Sequence, residues 1–189
     1  MIKLSPRAQL AVGITLMALM AMTRGQHFAS VNLPSASWAV FFLAGVLLAP
    51  RWVFPGLFVE ASLLDFAAIE WSGVSSYCLS PAYWMLVPAY GSLWFGGRIY
   101  ARLHRDHASS LATLAGCVML SAFVCYLFSG GGFLFFSGRY PDPSLAQLIE
   151  RIGIYYPRYL TALALYVGTA AALFIGLRVW AIQRDEARV

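Results

Sequence analysis

Apolar stretches of 14 to 24 residues, separated by short polar breaks, recur along the whole chain. A run of about 20 apolar residues matches a hydrocarbon core about 30 Å thick. In that core only a helix or a closed barrel satisfies its own backbone. The sequence is therefore read as an all-α membrane protein with six transmembrane helices, approximately Ser5 to Thr23, Ser37 to Pro50, Trp52 to Trp71, Pro81 to Tyr100, Leu111 to Phe128 and Tyr159 to Ile182. The second is short, and Phe54-Pro55-Gly56 after it points to a tight, irregular turn between spans two and three.

Composition excludes the main alternative. Of the 189 residues, 60% are hydrophobic and 11% charged, against roughly 45–50% apolar and 25% charged in a soluble domain. One bundle occupies the length, so residues 1–189 are read as a single transmembrane domain without a soluble catalytic or nucleotide-binding unit. The first span has a basic flank but no small-residue cleavage site after it, and is read as a retained helix. No Gly-x-x-x-x-Gly-Lys-Ser/Thr loop is present, which excludes an ATPase.

The net charge of +5 sets topology rather than binding nucleic acid. With both termini inside, Lys3, Arg7, Arg51, Arg98, Arg102, Arg105, Arg178, Arg184 and Arg188 fall on the inner side, and Arg24, Arg139, Arg151 and Arg158 on the outer. Nine against four puts both termini in the cytoplasm. The outer loops are then the longer ones, and the outer face is the expected ligand face. Gly130-Gly131-Gly132 is expected to end the fifth span. Ser144 to Ile154 is expected to form a short external helix with Leu145, Leu148, Ile149 and Ile152 on one face.

Candidate groups concentrate in the outer loops. In Gly73-Val74-Ser75-Ser76-Tyr77-Cys78-Leu79-Ser80-Pro81, Pro81 suits the first turn of span four and Ser80 its N-cap. Cys78 then lies just outside a helix start, where the terminal partial charge favours thiolate. Such a thiolate can ligate a soft or borderline metal centre, although a small loop residue is the commoner use of a lone cysteine. Cys117 and Cys125 lie within the fifth span and are read as structural. Gln26, His27, Asn32, Ser76, Tyr77, Tyr83, Arg139 and Tyr155 are the candidate hydrogen-bonding contacts to a large flat ligand. His104 and His107 fall on the opposite side from His27, which excludes a three-histidine centre.

Glu60 and Asp65 lie inside the third span, about 140° apart around a 3.6-residue helix, so they do not form one acid pair. They serve either a proton relay or ligand contact, or a buried brace to Tyr, Trp or Arg on a neighbouring span. The brace is the more frequent use of such groups.

The six spans, the outer loops and Tyr77-Cys78-Leu79-Ser80-Pro81-Ala82-Tyr83-Trp84 together resemble the BtuM family of bacterial cobalamin transporters. These proteins are similar to the solitary S-components of energy-coupling factor transporters. Asn32 to Gly45 and Leu64-Asp65-Phe66-Ala67 extend the resemblance over essentially the whole chain. It implies a six-helix S-component-like bundle in the bacterial inner membrane, with ligand-binding outer loops that take up cobalamin, a corrinoid, and with Cys78 as axial ligand of its cobalt. The first span offers Ala8, Ala11, Gly13, Ala18 and Ala21 but no Ala-x-x-x-Ala, so docking on an energising ATPase module is not indicated. Two alternatives stand beside uptake: thiol-dependent removal of the upper axial ligand (decyanation) through Cys78, and transport of another vitamin.

Overall fold

The computed structural model describes residues 4–24, 33–72, 80–105, 107 and 109–186. Among them are six helices and no strand. They are α1 (Pro6–Arg24), α2 (Ser37–Leu47), α3 (Val53–Ser72), α4 (Leu86–Leu103), α5 (Ser109–Phe136) and α6 (Leu145–Glu186), with a 3-10 turn at Pro81–Met85 leading into α4. By length and composition three are apolar and long enough to cross a membrane: α1, α5 and the Leu145–Trp180 part of α6.

The helix starts follow from local chemistry. At α1 the Ser5 hydroxyl accepts from the Ala8 amide (3.2 Å) and Pro6 takes the first helical position, where no N–H is required. At α6 the Ser144 hydroxyl accepts from the Gln147 amide (3.3 Å), while the Gln147 side chain accepts from the Ser144 amide (3.1 Å). This reciprocal pair is a capping box. Pro55 sits in the first turn of α3, so the tight connection lies ahead of it, at Leu48 to Trp52. As a result α2 ends at Leu47, three residues short of the expected Pro50.

Helix α2 is the axis of the bundle. At 11 residues it extends about 16 Å, about half a hydrocarbon core, so that its non-helical flanks must complete any crossing, and Ser37 through Gly45 are all buried. Phe41 stacks on Tyr90 of α4 (ring centroids 4.4 Å apart) and Trp38 on Tyr159 of α6 (4.9 Å). Its seam with α4 is closed by two reciprocal glycines. A methyl group on Gly45 would meet the Trp94 carbonyl oxygen, and one on Gly97 would meet that of Phe42. Small residues at such crossings let backbones approach until van der Waals packing supplies the association that lipid-exposed helices otherwise lack.

Two expectations about the later chain are corrected. The glycine triplet does not end α5: the helix widens into a π turn at Leu127–Gly131 and continues through Gly132–Phe136. Glycine permits a turn without imposing one, and here it admits a neighbour, since a Cβ on Gly132 would lie 2.7 Å from the Met85 side chain. The glycine that accompanies the stop is Gly138, whose φ of +69° supplies the left-handed residue just beyond the helix end.

Nor is there a separate external helix at Ser144 to Ile154. It is the first part of α6, 42 residues and about 63 Å long, twice the thickness of a hydrocarbon core. Pro157 lies inside it without ending it, and the Thr161 hydroxyl donates to the Pro157 carbonyl oxygen (2.8 Å). The four apolar residues expected on one face divide, with Leu148 and Ile152 half-buried and Leu145 and Ile149 exposed.

The two ends of the bundle are chemically distinct. One gathers the end of α1, the start of α2, the end of α3 and the turn before α4, and is called the loop end below. The other, the terminus end, gathers the start of α1, the α2–α3 turn, the end of α4 and the last turns of α6. There the Gln9 side-chain Oε1 accepts from the Ala49 amide (3.1 Å), and the Phe174 ring lies 6.3 Å from that of His104.

Candidate functional site

The loop end is built around Arg24, the last residue of α1. Its guanidinium forks onto Asp65 of α3, with Nε donating to Oδ1 and Nη2 to Oδ2, each at 2.7 Å. The remaining terminal nitrogen, Nη1, donates to Ser37 Oγ at the start of α2 and to Tyr90 Oη of α4, both at 2.9 Å. From the turn ahead of α4 the Tyr83 hydroxyl donates to Asp65 Oδ2 (2.9 Å). Four helices and one turn thus converge on a single ion pair. Only the planar, five-donor fork of arginine can serve a carboxylate with two parallel bonds and still reach two hydroxyls.

Burial gives the cluster its weight. The Arg24 and Asp65 side chains are 11% and 27% exposed, and a desolvated charge is tolerated only with a well-formed partner. Next to it Thr23 Oγ1 accepts from the Ala36 amide (3.1 Å) and donates to the Leu19 carbonyl (2.8 Å), a second tie between α1 and the start of α2. Glu60, five residues before Asp65, lies within the electrostatic reach of Arg24. Its Oε2 is buried with no hydrogen-bond partner among the described residues.

The brace reading therefore holds for Asp65, with an Arg and a Tyr as the partners. Sequence reasoning entered Arg24 only as a topological charge and missed that it is the hub of the cluster. The signal available was the acid itself: a carboxylate within an apolar helix needs a cation at similar depth. Among the described residues, Tyr83 is the one sequence-predicted site residue that joins this cluster.

Tyr155 and Arg139 belong elsewhere. Tyr155 lies near the start of α6 with Arg151 and Arg158 over its ring, at 5.2 and 5.9 Å from the centroid. Arg151 also covers the Tyr140 ring (5.2 Å) and donates to its hydroxyl (3.1 Å). Arg139 is exposed in the connection between α5 and α6, where its amide donates to Ser137 Oγ (3.2 Å). These form a second, cationic and aromatic group at the same end.

Gln26, His27, Asn32, Ser76, Tyr77 and Cys78 lie outside the described residues. Their segments, 25–32 and 73–79, are joined to the described chain at Arg24, Leu33, Ser72 and Ser80. At Ser80 the expected cap takes another form: Pro81 does open the 3-10 turn, but the Ser80 carbonyl, not its hydroxyl, accepts from the Tyr83 amide (2.8 Å). Cys125 is fully buried within α5 and Cys117 half-buried.

A cavity of about 700 Å³ lies at the terminus end, between α1, α2, the start of α5 and the last turns of α6. No family model matches the chain, and no curated protein matches it.

Proposed function

We propose that the chain is a corrinoid-binding uptake protein of the bacterial inner membrane, with six membrane-crossing helices and both termini cytoplasmic. Its substrate is cobalamin, held at the loop end with the Cys78 thiolate on the cobalt. The observation that carries this reading is the convergence on Arg24 and Asp65. It ties together the helix ends from which segments 25–32 and 73–79 depart, and these hold six of the candidate contacts. A large ligand with many amides needs loops anchored on a rigid base, because ordering mobile loops on binding costs affinity. The resemblance to the BtuM family supplies the ligand class.

In this mechanism the bundle contributes position and Cys78 contributes electron density. A soft sulfur donor suits a cobalt centre, and the side-chain amides of the corrin are met by hydroxyls and amides of the outer loops. Short helices such as α2 are accommodated because they are covered by protein on all sides.

The test is to purify the protein after growth with cyanocobalamin. A coloured corrinoid in stoichiometric amount is expected, and an uncoloured protein overturns the proposal. Cys78→Ala is expected to leave the protein folded while shifting the cobalt spectrum to that of a water- or base-ligated corrinoid. Cys117→Ala leaves the spectrum unchanged. A Cys78→Ala spectrum identical to the unaltered protein's removes the ligand assignment. Reporter fusions after His107 and at the C-terminus are expected to report cytoplasm, and one after Ser75 the outside.

A further inference from the structure

Two arginines near the start of α6 carry charge that nothing at the loop end neutralises. Arg24 is paired with Asp65, but among the described residues neither Arg151 nor Arg158 makes an ion pair, although Glu70, Asp142 and Glu150 lie at the same end. Segments 25–32 and 73–79 cannot supply the missing carboxylate, since neither contains Asp or Glu. Asp106, Asp185 and Glu186 belong to the connection after α4 and the last turn of α6, at the terminus end. What holds the two arginines is aromatic. Both guanidinium groups lie over the Tyr155 ring, 5.2 and 5.9 Å from its centroid. Arg151 also covers the Tyr140 ring (5.2 Å) and donates from Nη1 to its hydroxyl (3.1 Å). A ring attracts a cation without cancelling its charge. Arg151 Nε is buried and has no hydrogen-bond partner among the described residues.

Helix geometry sets this group on the flank of α6 that looks toward the connection between α1 and α2. On a 3.6-residue helix Tyr156, Tyr159, Tyr155, Arg151 and Arg158 follow one another around the circumference. Tyr156 marks the flank against α5, where its hydroxyl donates to the Met119 carbonyl (3.0 Å). Tyr159 stacks on Trp38 at the start of α2 (4.9 Å), and two turns further Tyr166 donates to the carbonyl of Pro34 (2.7 Å), just past the end of segment 25–32. Tyr155 and the two arginines come next in the same direction, away from α5. Arg158 is exposed and Arg151 half-buried, so the pair is both held and reachable.

We propose that Arg151 and Arg158, held on the Tyr140 and Tyr155 rings, bind the phosphodiester of the corrinoid's nucleotide tail. This inference rests on the corrinoid reading and adds to it the orientation of the ligand, with the tail toward α6. The side chains of the corrin ring end in neutral amides, so apart from an axial ligand on the cobalt the phosphodiester is the one anionic group the ligand brings. The planar fork of arginine matches two oxygens of such a phosphate with parallel hydrogen bonds. Arg24 cannot serve, because its donors are spent on Asp65, Ser37 and Tyr90. Free phosphate and lipid headgroups carry the same chemistry, and the experiment separates them from the corrinoid.

The test uses the full chain purified in a neutral detergent and titrated calorimetrically with cyanocobalamin and with cobinamide, which has the same ring and no nucleotide tail. Cobalamin is expected to bind roughly tenfold more tightly at low salt, with the advantage shrinking as added NaCl screens the charges. Inorganic phosphate is expected to weaken cobalamin binding and to leave cobinamide binding alone. The double variant Arg151→Gln/Arg158→Gln is expected to bind the two corrinoids equally, and Arg151→Lys/Arg158→Lys, which keeps the charge, to retain part of the preference. Equal affinities in the unaltered protein overturn this inference and leave the corrinoid reading standing, whereas binding of neither corrinoid overturns both. A preference for cobalamin that survives the glutamine variant also overturns it. So does a glutamine variant that keeps the preference lost to it here but no longer retains dioleoyl phosphatidylglycerol in native mass spectrometry, which would make a lipid headgroup the occupant.

Discussion

The loop end and the terminus end of this bundle hold their helices by opposite means. At the loop end four helices and a turn meet at one buried ion pair and its hydroxyl partners, within 2.7 to 2.9 Å. At the terminus end the helices stand apart around an apolar cavity of about 700 Å³. Between apolar helices in hydrocarbon there is little hydrophobic drive to associate, so polar contacts and close packing must supply it. Among the described residues the helices meet at the end with the polar hub and part at the end without one.

The largest effect should come from breaking the hub. Asp65→Leu leaves the Arg24 charge desolvated and is expected to cost about 3–5 kcal/mol in thermal or denaturant unfolding of the purified protein. The double variant Arg24→Met/Asp65→Leu should recover most of that loss, because it removes both charges. If the double variant is as unstable as the single one, the pair is not what holds the loop end together. Next in size is the seam that joins the two ends: Gly97→Ala drives a methyl group into the Phe42 carbonyl and should cost about 1–3 kcal/mol in the same assay.

Smaller effects sharpen the comparison. Tyr83→Phe deletes one hydrogen bond to a charged acceptor, worth about 1.5 kcal/mol. The loss should shrink markedly in the Asp65→Leu background, since the acceptor is gone. At the terminus end Ala11→Leu adds volume to a wall of the cavity, and a change within about 0.5 kcal/mol is expected. A cost as large as that of Gly97→Ala would show that the cavity is closed in the working protein.

The helices were legible because apolar length is a one-dimensional property, and all six of the expected segments correspond to helices. Their limits were less so. The run from Ser144 to Ile182 reads as two elements because it carries Pro157 and several charges, yet nothing in it obliges the helix to stop. The opposite error arose at Gly130 to Gly132, where a permissive residue type was taken for a stop and the helix end was set instead by the positive φ at Gly138. At the candidate site, the need of Asp65 for a partner was readable and the partner was not. Arg24 is 41 residues away and looks like any basic residue flanking a span.

By itself the sequence determined an all-helical chain, the order of its helices and the presence of a carboxylate that cannot sit alone in an apolar helix. These follow from composition, periodicity and the cost of desolvating charge, which act locally. Only the tertiary structure decided that Arg24 is the hub, that the shortest helix is the buried axis, and that α1 and α6 part to leave a cavity. Those depend on crossing angles and backbone approach, set by which small residues meet across a seam. No single segment encodes that meeting.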